Sequence, residues 1–172
     1  MGPFRVTMAH SLRIRSRSPE ETQAVGQAIG AQAQPGDAYL LTGTLGAGKT
    51  CLTQGIARGL EVPGYVRSPT FVLTHRHQGR LLLYHLDLYR IGGPSEAWDL
   101  GLDEQLFGEG VCVIEWADRA EELFPPICCW ISLDYGAGED CRILTLSAET
   151  PRYAALLQSL AGAFPVTEEV NS

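Results

Sequence analysis

Gly43-Thr44-Leu45-Gly46-Ala47-Gly48-Lys49-Thr50 matches the pattern G-x-x-x-x-G-K-[ST] at every fixed position. These residue types in this order form a phosphate cradle. The glycines let the backbone curl until successive N–H groups point inward at anionic oxygens, where side chains would block the approach. A helix starting near Lys49 adds the positive end of its dipole and the N–H groups of its first turn. Lys49 brings a mobile positive charge to the outer phosphates, and the Thr50 hydroxyl is placed to ligate Mg2+. Thr44, Leu45, Gly46, Ala47, Gly48 and the following Cys51 complete the stretch expected to wrap a nucleotide. Lys49 is also the only lysine in the chain, the other 12 basic residues being arginine.

Phosphoryl transfer further needs a carboxylate on the metal and a group that handles the attacking water. Glu115 closes the apolar run Val111-Cys112-Val113-Ile114, and Asp87 closes another in His85-Leu86-Asp87-Leu88-Tyr89-Arg90. An acid at the end of a buried strand is where a second metal ligand sits. On pattern alone either acid also fits a surface position at a strand end. Arg67-Ser68-Pro69-Thr70 reads as a short switch loop whose Ser68 and Thr70 hydroxyls reach the outer phosphate or its metal, or as a plain turn opening an edge strand. Trp98, Trp116 and Trp130 read as packing residues rather than stacking platforms, although Trp116 directly follows Glu115 and would report nucleotide binding by its fluorescence. His75 and His77 share one strand face beside a Gln-Gly turn, which points them at water rather than at a metal.

These groups need elements to hold them. Ser18-Pro19-Glu20-Glu21 supplies an N-cap hydroxyl, a proline at the first helical position and a capping-box glutamate. The helix it starts should end before Gln34-Pro35-Gly36-Asp37. Ala38 to Thr42 reads as a strand buried on both faces, and it runs straight into Gly43. Leu52, Ile56 and Leu60 keep helical spacing, with Gly59 placed to end that helix. Phe71 to His77 and Arg80 to Leu86 form a hairpin around Gln78-Gly79. A helical stretch spans Ser95 to Phe107, and strands follow at Val111 to Glu115, Ile127 to Leu133 and Arg142 to Ser147. Tyr153 to Leu160 is helical. The sum is an α/β fold in three layers, of the P-loop NTPase kind, with a mixed and centrally parallel sheet. It forms a single domain over residues 1–172, with residues 1–10 and 166–172 flexible.

Composition bounds the rest. With 172 residues, 45% hydrophobic and 19% charged, the chain can build one core without disulfides. Its five cysteines, Cys51, Cys112, Cys128, Cys129 and Cys141, contain no C-x-x-C and read as reduced residues of a cytoplasmic protein. No apolar run approaches the roughly 18 residues of a membrane span. Arg5, Arg13, Arg15 and Arg17 precede any acid, in the manner of a transit peptide. Leu12 and Ile14 alternate with Arg13 and Arg15, however, as in a half-exposed strand. Beyond Arg17, nine basic residues face 20 acidic ones. Such a balance supplies no broad basic face for nucleic acid, so any RNA would be held by a partner.

Four segments in this order, G-T-L-G-A-G-K-T at Gly43–Thr50, S-P-T-F at Ser68–Phe71, H-L-D-L-Y-R at His85–Arg90 and Ile114-Glu115-Trp116, resemble the TsaE family, formerly YjeE. That family consists of ATPases of bacterial threonylcarbamoyladenosine synthesis. The resemblance spans roughly Ser18 to Leu146. It implies an ATPase, weak alone, that acts on ATP with Mg2+. It would be required for making N6-threonylcarbamoyladenosine at position 37 of tRNA without transferring the group itself, a step TsaD performs, with TsaD and TsaB as partners and tRNA engaged only through them. It further implies that Lys49 and Thr50 are the phosphate and Mg2+ residues and Glu115 the second metal ligand. Asp87 would be the acid needed for hydrolysis, Thr70 part of the switch-like loop, and Trp116 the tryptophan beside the nucleotide. The chain departs from the family pattern at Thr44, often Asp, and at Cys51, often a second Thr. The cysteine lacks a hydroxyl that could reach the α-phosphate. A small-molecule kinase and a non-hydrolysing, nucleotide-dependent assembly factor fit the same loop. A kinase usually carries an arginine-bearing lid, and Arg119 is the only basic residue between Arg90 and Arg142.

Overall fold

The computed structural model describes residues 9–69 and 74–167. Thr70 and the start of the first hairpin run, Phe71 to Leu73, lie outside the described residues. Seven strands form one mixed sheet in the order β1-β7-β6-β2-β5-β4-β3. They are β1 (His10–Ser16), β2 (Ala38–Thr42), β3 (Thr74–Gln78), β4 (Leu82–Asp87), β5 (Val111–Glu115), β6 (Cys129–Tyr135) and β7 (Arg142–Ala148). β6, β2, β5 and β4 run parallel, β3 and β7 run antiparallel to them on either side, and β1 at the edge pairs antiparallel with β7. The helices are α1 (Pro19–Gln32), α2 (Lys49–Gly59), α3 (Pro94–Asp99), α4 (Leu102–Leu106) and α5 (Pro151–Ala163), with a 3-10 segment at Ala117–Leu123.

Strict alternation along the central strands makes the three layers. Tyr39, Leu41, Val111 and Val113 join the core under α1, α2 and α5. Ala38, Leu40, Cys112 and Ile114 join the core under α3, α4 and the 3-10 segment. Burying each of the Leu, Ile and Val side chains among them contributes about 1.5–3 kcal/mol, and a one-residue slip would exchange the two sets. Among the described residues no helix is long and apolar enough to cross a membrane.

α1 begins as its cap residues dictate. The Glu21 N–H donates to Ser18 Oγ (3.1 Å), while the Glu21 carboxylate reaches one residue further back than the ordinary box and accepts from the Arg17 N–H (2.6 Å). α1 and α2 touch backbone to backbone through two glycine pairs four apart. A Cβ on Gly26 would lie 2.4 Å from Leu52 O, one on Gly30 2.1 Å from Ile56 O, and one on Gly55 2.3 Å from Gln23 O. Gly30→Ala should therefore lower the urea midpoint, although alanine is the better helix former by about 1 kcal/mol, because overpacking costs about 1–3 kcal/mol. Gly162→Ala, on the open side of α5 with nothing within 4 Å, should raise it. Equal shifts in one direction would refute the close packing.

Several boundaries differ from the sequence reading. The stretch from Ser95 to Phe107 is two short helices, because Gly101 sits in the left-handed region (φ 76°) between them. The hairpin turn is longer than Gln78-Gly79 and is docked. The Arg80 N–H donates to Leu60 O (2.6 Å), and the Arg80 guanidinium donates to Gly30 O (2.8 Å) and Ala33 O (3.2 Å) at the carboxyl end of α1. β6 starts at Cys129 rather than Ile127, the preceding residues being turned by the Cys128 N–H to Pro125 O bond (3.3 Å). Neither supposed flexible end is wholly so. His10 pairs with Ala148 in β1, and the tail docks on that strand through the Thr167 N–H to Arg13 O bond (3.0 Å) and a bridge between Val166 and Ile14. Cys112, Cys128 and Cys129 are buried, and burial pushes their thiols up to about 12, 11 and 12. Cys51 and Cys141 are only half-buried.

Candidate functional site

The parallel strands deliver their carboxyl ends to one rim of the sheet, where open α/β sheets bind ligands. β2 ends at Thr42 and the loop 43–48 carries the chain into α2. In β4 and β5, Asp87 and Glu115 are register partners, so the two acids stand side by side on the α2 face of the sheet. A cleft of about 340 Å³ opens here, lined among others by Gly46, Lys49, Thr50, Ser68, Asp87, Glu115 and Trp116.

The loop has the geometry its glycines allow. Gly43 (φ 142°) and Gly48 (φ 108°) adopt angles that L side chains rarely take, and a Cβ on Gly43 would meet Leu133 O at 2.5 Å. Gly48 is the N-cap of α2 and offers no side chain to its first turn, so by position the N–H groups of Lys49, Thr50 and Cys51 have no acceptor within the helix. β6 braces the loop from outside, where the Tyr135 hydroxyl donates to Leu45 O (3.1 Å).

Lys49 is 5% exposed. Its Nζ donates to Gly43 O (2.5 Å) and Thr44 O (2.9 Å) and lies 4.0 Å from the centre of the Trp116 ring. Burial lowers its pKa below the ordinary lysine value, while the carboxylates of Glu115, Asp118 and Asp87 pull the other way. Trp116 holds that place because its backbone is left-handed (φ 57°), a conformation costing about 1–2 kcal/mol for a side-chain-bearing residue. Tyr89 packs on the Trp116 ring with centroids 4.8 Å apart, and the Arg119 guanidinium lies over both rings at 5.5 and 5.7 Å. The aromatic wall of the cleft is thus Tyr89 and Trp116, with Arg119 over their rings, and of the three only Trp116 stood out in the sequence.

Glu115 is 2% exposed and uses both oxygens. Oε1 accepts from the Thr50 hydroxyl (2.7 Å), and Oε2 is in hydrogen-bond contact with His85 Nε2. Asp87 accepts from the Ser68 hydroxyl (2.6 Å) and from the Tyr89 N–H (2.9 Å), so the described part of the switch-like loop is tied to the acid. Thr70, named with that loop, falls outside the described residues. Cys51, one turn into α2, also lines the cleft and donates from Sγ to Pro19 O (3.3 Å). Burial, followed by the charge of Glu20, raises its pKa.

The structure therefore gathers Lys49, Thr50, Glu115, Asp87, Cys51 and Trp116 around one cleft, with Thr44, Leu45, Gly46, Ala47 and Gly48 forming the loop at its edge. His75 and His77 do not simply face water, since Nε2 of His77 is buried without a partner among the described residues. Burial first, then the neighbouring His85 and His75, lowers the His77 pKa.

Comparison with known proteins follows the same boundaries. A family model described as threonylcarbamoyl adenosine biosynthesis protein TsaE matches residues 16–143. A Bacillus subtilis (strain 168) protein named tRNA threonylcarbamoyladenosine biosynthesis protein TsaE is 44% identical over 151 residues, which cover 87% of this chain and 94% of that protein. A Treponema pallidum protein of the same name is 41% identical over 122 residues, covering 71% and 90%. The crystal structure of Bacillus subtilis YdiB superposes with a TM-score of 0.75 at 40% identity, covering 90% of this chain and 97% of that one.

Proposed function

The chain belongs to the TsaE family, and from that membership together with the cleft geometry we propose that it binds Mg-ATP and hydrolyses it for tRNA threonylcarbamoyladenosine synthesis. Relatives named for that biosynthesis support the pathway. The ATPase reading is carried by one observation. A glycine loop with left-handed Gly43, Gly46 and Gly48 lies at the carboxyl end of β2, and Thr50 is bonded to a buried acid.

The donor set suits Mg2+. Thr50 Oγ1 and Glu115 Oε1 stand 2.7 Å apart, near the roughly 3 Å expected between adjacent ligands of an octahedral ion with oxygens at about 2.1 Å. Both are hard oxygen donors. Among the described residues no group of three or more His, Cys, Asp or Glu is placed to hold a metal by itself, which suits an ion completed by phosphate oxygens and water. Bound there, Mg2+ supplies charge neutralisation on the phosphates and orientation of the reacting group.

The chain's own residues do the rest. Lys49 Nζ rests on two carbonyls of its own loop, and moving to phosphate oxygens exchanges neutral acceptors for charged ones, whose hydrogen bonds are roughly twice as strong. The N–H groups at the start of α2 hold the phosphate oxygens. Asp87, half-buried and lining the cleft, is placed to accept a hydrogen bond from an attacking water and so to aim it. Trp116 and Tyr89 wall the cleft and limit water access, with Arg119 lying over both rings. The partners in this reading are TsaB and TsaD, which hold the tRNA, and the protein acts in the cytoplasm.

Phosphate release from the purified chain tests the reading. We expect slow release with Mg-ATP, faster release when the TsaB–TsaD complex is added, and none in EDTA. No release with or without partners would convert the reading to a nucleotide-dependent assembly factor, and a phosphorylated small molecule in place of free phosphate would make it a kinase.

A further inference from the structure

His85 has no role in the chemistry just described, yet it is fully buried on β4 with its Nε2 against Glu115 Oε2. It lies two residues before Asp87, so both side chains leave the strand on the same face. A carboxylate only accepts hydrogen bonds, so Nε2 is the ring nitrogen that bears the hydrogen. The other nitrogen, Nδ1, is buried and has no partner among the described residues. A histidine kept to satisfy the core would have both nitrogens bonded, and an apolar side chain would fill this position at lower cost. Here the ring's hydrogen bonding is aimed at Glu115.

We propose that His85 is a positioning residue for Glu115, holding Oε2 so that Oε1 alone is turned to Thr50 and to the divalent ion. The proposal rests on reading Thr50 and Glu115 as the Mg2+ ligands. An unrestrained glutamate has several rotamers and two equivalent oxygens, and metal binding would have to select one arrangement. The imidazole makes that selection in advance, as partners of ligand side chains do at metal sites.

The test is an Mg2+ titration at fixed ATP, followed by Trp116 fluorescence on the parent chain and on His85→Leu, His85→Gln and His85→Asn. The glutamine amide nitrogen reaches the position of Nε2 and the asparagine nitrogen does not, so these two bury the same group and differ in what it can touch. We expect Leu and Asn to need about 10–100-fold more Mg2+ for half-saturation and Gln to stay near the parent. ATP binding in EDTA should be alike in all four. If Leu does not fold, the Gln and Asn pair decides. A shared Mg2+ midpoint for Gln and Asn, or EDTA binding that falls in step with the Mg2+ response, would overturn the proposal. A parent that ignores Mg2+ would overturn the ligand assignment as well, which separates the two failures.

Discussion

Lys49→Ala is expected to weaken Mg-ATP binding by about 100-fold or more and to remove phosphate release. The substitution deletes the chain's one lysine ammonium group from a site where it is 5% exposed and flanked by loop carbonyls. Two hydrogen bonds to charged oxygens at about 1.5–3 kcal/mol each make a loss of about 3 kcal/mol or more, which is somewhat over 100-fold in Kd. The free protein loses only the bonds to Gly43 O and Thr44 O and the contact with Trp116, so it should stay folded by circular dichroism. Calorimetric titration would check the outcome. A folded variant that binds within a few-fold of the parent would remove Lys49 from the phosphate site.

Asp87→Asn should leave binding near the parent and cut turnover by about 100- to 10,000-fold, the range of a positioned acid or base. Asparagine is nearly isosteric: its one oxygen can still accept from the Tyr89 N–H, and its amide nitrogen then faces the Ser68 hydroxyl, which can turn to accept. It loses the charge and the basicity by which a carboxylate aims water. The contrast with Glu115→Gln separates the two acids, which stand as register partners on neighbouring strands. Loss at Glu115 should appear first as a raised Mg2+ requirement, and loss at Asp87 as a fall in kcat at saturating Mg-ATP. Identical Mg2+ and kcat effects in both variants would reject the division of roles.

The phosphate loop was legible because its signal is local. Three glycines, a lysine and a threonine at fixed spacing admit few other conformations, and the strand before them, Ala38 to Thr42, is apolar at every position but its last. Val111 to Glu115 was legible for the same reason. The Ser18 cap, with proline next and glutamate third, marked the start of α1, and the alternation of Leu12 and Ile14 marked β1.

What escaped the sequence depends on partners far along the chain. The glycine pairs of α1 and α2 have meaning only when the helices touch, though their four-residue spacing in each helix was a visible hint. Arg80 caps a helix that ended nearly fifty residues earlier. His85 was quoted within a motif that lent a role only to Asp87, although residues two apart in a strand share a face. Tyr89 and Arg119 join Trp116 only once β4 and the segment after β5 are placed side by side. The break at Gly101 gave a local cue that was overridden by the helical spacing around it. The docking of Val166 and Thr167 on β1 gave none.

The central claim is that the loop at Gly43–Thr50 grips the phosphates of Mg-ATP. Calorimetric titration of the folded parent chain with Mg-ATP tests it most directly. Saturable heat at one site per chain is expected, with Lys49→Ala moving its midpoint up by about 100-fold or more. The absence of any heat over a range of temperatures and nucleotide concentrations, on protein shown to be folded, would contradict it.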